Sequence, residues 1–543
     1  MKHKLFTKAT VISVLVLFFL FAGIYYFAKL DAAEKSLETD LFAFVPDNAT
    51  AILEANDITE LVSELDHQHF KGTDQMLKIS RLLSFLNANF EGLVNSTAHG
   101  LSPQMNKILV SFHEPGTDMD QIIYCRLADG DQKRINAFIQ SNFATNYAPR
   151  LFEYKGETIR IYPLNSNNFL ACYSRPGFFA MSYQKKLIEK VIDAYLYNKS
   201  ILNDPLFSSF HNKKKNNDLA RLYIKMDQVQ MGEAKNDTIV RSRLNYWTFF
   251  DLKISGDDIC LSGTSFDNDS CISFTNALKQ QTPIEIYQGK YLPAGSYFIA
   301  QTAASNIQSI FNITAKIEYS KNTYTDDIKE CDTTFLQFVK ENIRGQITSC
   351  MFHSKDTVNK ENAIMIVDLN DPERAEISLN NFLLKYRTLG ISPYAGNKVL
   401  YAKNKRYVTY TLPANSLFAQ LTGFTESGTQ EYICFYRGQM IISPEIKSLS
   451  SYIQAIDNSE FIENDVSYKD YLSRFAPSSN FVMLADMKQV MLRPEYYTRL
   501  IPGFFFNYKA FFENFIFSAQ YTCVENIIYP NITLTYKAIS RPS

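Results

Sequence analysis

The run Ala9–Ala28 is twenty residues without a charge, and as an α-helix it would be about 30 Å long, the thickness of a bilayer core. Lys2, Lys4 and Lys8 precede it, which places residues 1–8 in the cytoplasm and carries the remainder across. Tyr25 and Tyr26 stand where an interfacial aromatic belt forms. The run exceeds the apolar core of a secretory signal peptide, and no small-x-small cleavage site follows it. It therefore reads as an uncleaved transmembrane helix over 9–28, followed by a charged, helix-compatible spacer over 29–43.

Beyond the spacer the pattern changes to short apolar or alternating runs divided by polar turns. Phe44-Val45-Pro46 leads into a strand over Ala49–Ala55, and Asp57 with Glu60 has the spacing of a helix cap. Tyr291-Leu292-Pro293 leads likewise into a strand over Ser296–Thr302, with Ser305-Asn306 before the next helix. Strands are expected over Lys107–His113 and Gln121–Leu127, and over Gln346–His353 and Ala363–Leu369, each pair followed by a helix. Three-stranded meanders then fit Thr158–Tyr162, Phe169–Tyr173 and Phe178–Ser182, and Tyr407–Leu412, Glu431–Tyr436 and Gln439–Ser443. Helices over Lys185–Leu196 and Ile446–Ile456 follow them. Hairpins close each half, at Phe250–Gly263 around Gly256-Asp257-Asp258 and at Phe515–Leu534.

The parallel between halves extends to identity. Gly177–Val229 laid without a gap on Gly438–Val490 matches at eleven of fifty-three positions, where composition alone gives roughly three. Gly177, Ser182, Asn203-Asp204, Met226, Gln228 and Val229 meet Gly438, Ser443, Asn464-Asp465, Met487, Gln489 and Val490. The expected fold class is α+β: an N-terminal transmembrane helix, then two tandem duplicated modules over 44–285 and 286–543. Each would be a mostly antiparallel or mixed sheet with helices on one face.

Composition narrows the function. With 55 basic and 56 acidic residues the chain has no basic excess for nucleic acid, and its one compact basic run, Lys213-Lys214-Lys215, reads as a solvated loop. Its eight cysteines contain no C-x-x-C pair, against zinc ribbons and thioredoxin-like chemistry; Cys260 and Cys271 are the nearest pair in sequence. The nucleophile-elbow, zincin, phosphate-loop and dinucleotide-loop motifs are all absent from the sequence. No catalytic residue, cofactor or metal is assigned, and the chain reads as a non-enzyme.

Two groups of residues are candidates for a ligand or interaction surface. His113 and His353 recur at matched strand ends, where the plain reading is a histidine bonded to its own loop. Phe504, Phe505 and Tyr508 belong to an aromatic stretch in which Phe504, Tyr508, Phe511 and Phe515 have helical spacing, which favours core packing over a membrane-surface helix. His67-Gln68-His69 has alternate spacing beside a helix, where i and i+2 do not face each other.

The single span, the Phe44-Val45-Pro46 opening, Ser111-x-His113 and the Trp247–Gly263 hairpin together resemble a family of large bacterial envelope proteins of uncharacterised function, Bacteroidetes-like. The resemblance implies an inner-membrane anchor with a periplasmic ectodomain, and carries no catalytic residue across. The expected function is a membrane-anchored envelope scaffold or interaction module with a protein or lipid partner; the alternative is a carrier or sensor of a hydrophobic envelope ligand held between the modules.

Overall fold

The computed structural model describes residues 40–537 apart from 65–106, 115–118, 128–131, 140–147, 164–168, 212–218, 267–273, 313–325, 355–360, 389–397, 413–430 and several shorter stretches. The apolar run Ala9–Ala28 lies outside these residues, as do His67-Gln68-His69 and Lys213-Lys214-Lys215. Among the described residues no helix is long and apolar enough to cross a membrane.

The chain forms two compact units, the first ending at Leu222 and the second beginning at Tyr223. The first contains strands β1 (Ala51–Ala55), β2 (Ile108–Phe112), β3 (Gln121–Arg126), β4 (Arg150–Tyr154), β5 (Glu157–Pro163), β6 (Phe169–Arg175) and β7 (Phe178–Ser182), with helices α1 (Lys185–Leu196) and α2 (Pro205–His211). Its strands neighbour one another in the order β4-β5-β6-β7-β3-β2-β1. Strand β8 (Ala220–Lys225) ends this stretch of chain.

The second unit contains β9 (Trp247–Ser255), β10 (Asp258–Phe266), β11 (Ser296–Ala303), β12 (Ile343–His353), β13 (Glu361–Leu369), β14 (Lys398–Ala402), β15 (Lys405–Leu412), β16 (Glu431–Tyr436), β17 (Gln439–Ser443), β18 (Phe481–Asp486), β19 (Phe515–Val524) and β20 (Ile527–Tyr536). Its helices include α3 (Asp326–Asn342), α4 (Pro372–Thr388), α5 (Ile446–Asp457), α6 (Val466–Ser473), α7 (Gly503–Asn507) and α8 (Lys509–Phe512). The order here is β14-β15-β16-β17-β13-β12-β11-β18-β19-β20-β10-β9. Two short two-stranded pairs lie apart from the main sheet, the hairpin of Gln230–Lys235 with Thr238–Arg241 and the pairing of Ile284–Glu285 with Ser478–Ser479.

The expected α+β class of two modules, each with its own mostly antiparallel or mixed sheet, is corrected here. The strand pairings within each unit are antiparallel throughout, and the second unit's twelve strands form one sheet that takes in the hairpin assigned to the first module. The hairpin β9–β10, which the sequence suggests closes the first half, instead pairs through β10 with β20, Asp258 opposite Thr535 and Ser262 opposite Asn531. A strand that ended a module would leave a row of unpaired N–H and C=O groups; the neighbouring strand satisfies them.

Helices on one face is also corrected. Along β13, Met365 and Val367 pack with Phe335, Phe338, Leu379 and Phe382 of α3 and α4, whereas Ile364 and Ile366 pack with Leu449, Tyr452, Ile453 and Ile456 of α5. Both faces are covered, which is why Ala363–Val367 is a continuous apolar run without alternation.

Matched residues of the two halves do the same local work. Gly177 and Gly438 take φ of 77° and 81° in the tight turns β6–β7 and β16–β17, a backbone state that glycine adopts without a Cβ clash. Ser182 Oγ donates to the Gln121 carbonyl (2.7 Å) and accepts from the Gln184 amide, and Ser443 Oγ donates to the Ala363 carbonyl (2.8 Å) and accepts from the Glu445 amide. Each serine thus ties a strand end to the helix that follows. Asp204 accepts from the Leu206 amide at the start of α2, and Asp465 from the Tyr468 amide at the start of α6. The meanders have four strands rather than the expected three, β4 and β14 each adding an edge strand most of whose residues are exposed.

Candidate functional site

His113 follows β2, where its backbone amide donates to the Asp120 carbonyl across the strand connection (2.9 Å). Its Nε2 lies 2.8 Å from Ser111 Oγ, and Ser111 Oγ lies 2.8 Å from Tyr124 Oη on β3. Ser111, Tyr124 and His113 are at most 1% exposed. The chain of three hydroxyl and imidazole groups arises because residues 111 and 113 point the same way along an extended backbone, with β3 alongside.

A serine at this distance from an imidazole has the separation of a nucleophile and its base. Burial decides against that use. Desolvation, aided by the Lys190 charge, lowers the His113 pKa to about 4, against the opposing influences of Asp120 and, weakest, the Asn48 backbone. Nδ1 of His113 has no partner at hydrogen-bonding geometry. The same desolvation raises the Tyr124 phenol well above its ordinary range, the Ser111 hydrogen bond only partly offsetting it. The three groups form a neutral network that pairs Ser111 Oγ, His113 Nε2 and Tyr124 Oη and fixes the end of β2 against β3.

His353 ends β12 in the second unit. Its ring stacks on Tyr297 of β11 with centroids 4.6 Å apart, and Nε2 lies 3.3 Å from Gln489 Oε1. Met351 occupies the position two residues before it and accepts from Tyr497 Oη at 2.9 Å, where His113 has Ser111. The two histidines therefore have different partners, and each is bonded within its own unit. Among the described residues no group of three or more histidine, cysteine or acidic side chains is placed to hold a metal ion.

Helical spacing over 504–515 does not give a continuous helix. Tyr508 breaks it, with φ −115° and ψ 41°, into α7 and α8, and Phe515 opens β19. Phe511, Phe512 and Phe515 are buried beside Phe298, Tyr497 and Phe517, while Phe505 packs against Phe512 and Phe517 (4.7 and 5.1 Å). Phe504 stays exposed, ringed by Phe505, Tyr508 and Phe512 at 5.0–6.0 Å.

Cys260 carries no disulfide, nor do Cys125, Cys172, Cys350, Cys434 or Cys523; Cys271 lies outside the described residues. The Ser111–Tyr124 link escaped the sequence reading, since hydroxyls thirteen residues apart leave no local signal. The solvent-facing residues at the rim of β14 and β15 escaped it for the same reason: Val399 and Tyr401 face out while Leu400 and Ala402 are buried, and Val399 stands opposite Val408. The alternation at Val399–Ala402 was the only trace of them.

Compared with protein-family models, curated proteins and solved structures, the chain matches none.

Proposed function

We propose that this protein is a membrane-anchored envelope scaffold or interaction protein, with residues 1–8 in the cytoplasm, Ala9–Ala28 in the inner membrane and the remainder in the periplasm. The charge-free run and the three lysines before it support the anchor and its orientation. An internal duplication forms part of this reading, supported by the eleven matched positions and the recurring strand order.

The observation that carries the interaction role is the rim of β14 and β15. Tyr401 is 70% exposed, and Val399 and Val408 sit beside it on the same outward face, while among the described residues β14 pairs with β15 alone. An apolar, aromatic strip at a strand that retains a free hydrogen-bonding edge suits a protein partner.

A photo-crosslinking residue at Tyr401 of the full-length protein, irradiated in cells, is expected to yield a discrete protein adduct that the exposed control Glu373 does not. Native mass spectrometry of the same protein in mild detergent supplies the opposing outcome. A retained lipid-sized mass with no adduct from Tyr401 overturns the scaffold in favour of a carrier for a hydrophobic ligand.

A further inference from the structure

The described chain begins at Asp40, with eleven residues between it and the end of the apolar run, and its first turn packs against one place on the first unit. Phe44 lies between Phe178 and Tyr195, stacked on each with centroids 3.7 and 5.0 Å away. The Ile201 amide donates to the Val45 carbonyl (2.8 Å), and the Asp47 amide to the Lys199 carbonyl (3.1 Å). The segment arriving from the anchor is thereby fixed to the end of α1.

That end of α1 exposes Tyr195, Leu196 and Tyr197 in succession, at 42%, 40% and 53%. Inside a globular surface such a triplet is unusual: two tyrosines and a leucine facing water beside cations. The Arg175 guanidinium covers Tyr195 at 4.2 Å, and the Lys155 ammonium covers Tyr197 at 4.5 Å. Tyrosine rings flanked by basic side chains are the chemistry of the bilayer interface, where the ring body enters the acyl boundary and the polar tip stays among headgroups.

The geometry points to this patch, Tyr195-Leu196-Tyr197 with Lys155 and Arg175, as a second membrane contact that lays the first unit on the lipid surface next to its own anchor. The inference rests on the anchor reading given above. Eleven residues span at most about 40 Å fully extended, so Asp40 and the adjoining patch stay within that distance of the apolar run. Three side chains alone would bind lipid weakly. Tethering raises their effective concentration at the surface to the millimolar range, and weak contacts then suffice.

Charge sets the kind of surface. Lys155 pairs with Asp193 at 2.7 Å and Arg175 with Glu157 at 3.1 Å, so the patch is close to neutral. Contact through the tyrosines and leucine needs no anionic lipid and responds little to salt.

The test uses the full-length protein in vesicles of phosphatidylcholine carrying a photoactivatable acyl chain, with labelled peptides mapped by mass spectrometry. Expected labels fall on the peptide containing Ala9–Ala28 and on that containing Tyr195–Tyr197, the second persisting at ~0.5 M salt. Leu196→Glu with Tyr197→Glu, at exposed positions that leave the Phe44–Tyr195 stack intact, is expected to lower the second label roughly fivefold without changing the first. Label on the anchor with none at 195–197 overturns the surface contact and leaves the anchor standing. Label on neither overturns the anchor, and the contact with it.

Discussion

At the scale of single residues, burial is the dominant influence on chemistry. His113 has a folded pKa of about 4 against 6.5 for a free imidazole, so between those values the unfolded chain binds the proton more readily. Its stabilising effect is complete above pH 6.5 and is lost as pH falls towards 4, on the order of 3 kcal/mol for the whole interval. Denaturant unfolding of wild type and His113→Gln at pH 7 and pH 4.5 isolates this share, since carboxylate effects are common to both. The wild type is expected to lose more stability than the variant; equal losses would remove His113 from the account. Burial also pushes the Cys350 and Cys434 thiols up to about 12, whereas Cys260 is half-buried on β10. Maleimide at neutral pH is expected to modify Cys260 at least about tenfold faster than either, read by peptide mapping of the native protein. Neither the depth of His113 nor that of the cysteines was legible in sequence. A histidine beside an apolar run looks alike whether its ring is buried or wet, until the strand alongside is placed.

At the scale of elements the sequence was far more informative, because helix and strand periodicity are local. The Lys185–Leu196, Phe178–Ser182, Glu431–Tyr436 and Gln439–Ser443 bounds read from the chain are those of the structure. Helix α5 buries Leu449, Tyr452, Ile453 and Ile456 at helical spacing, and Ile453→Ala is expected to cost roughly 2–5 kcal/mol in thermal unfolding. The cap on α6 is smaller: Asp465→Ala should cost about 1 kcal/mol, with Asp465→Asn close to wild type. A result in the opposite order would mean that the Asn-Asp recurrence has a role other than capping. Where local reading failed, tertiary contacts had overruled periodicity. Phe504, Tyr508, Phe511 and Phe515 have the spacing of one helix, yet Phe515 is drawn into β19 by ten residue pairings with β20 that run from Phe515–Tyr536 to Val524–Ile527.

At the scale of the whole molecule, the anchor reading makes the cleanest prediction. Removal of residues 1–28 should shift the protein from the membrane pellet to the supernatant on ultracentrifugation, with an unchanged circular dichroism spectrum; persistence in the pellet, together with no acyl label on the intact run, would require another attachment. Sequence by itself determined what depends on neighbours along the chain: a charge-free run long enough to span a bilayer, the strand and helix positions, the capping and turn residues, and the match between Gly177–Val229 and Gly438–Val490. Only the tertiary structure decided which strands pair. Backbone hydrogen bonding is indifferent to side-chain identity, so nothing in the residues of β10 announced β20 as its neighbour, and a hairpin expected in the first module's sheet belongs to the second unit's. The same holds for surfaces. Val399 with Tyr401, and Tyr195 with Leu196 and Tyr197, carry no special mark in the chain, and became exposed patches only through the fold, which leaves each of the five more than a third open to solvent.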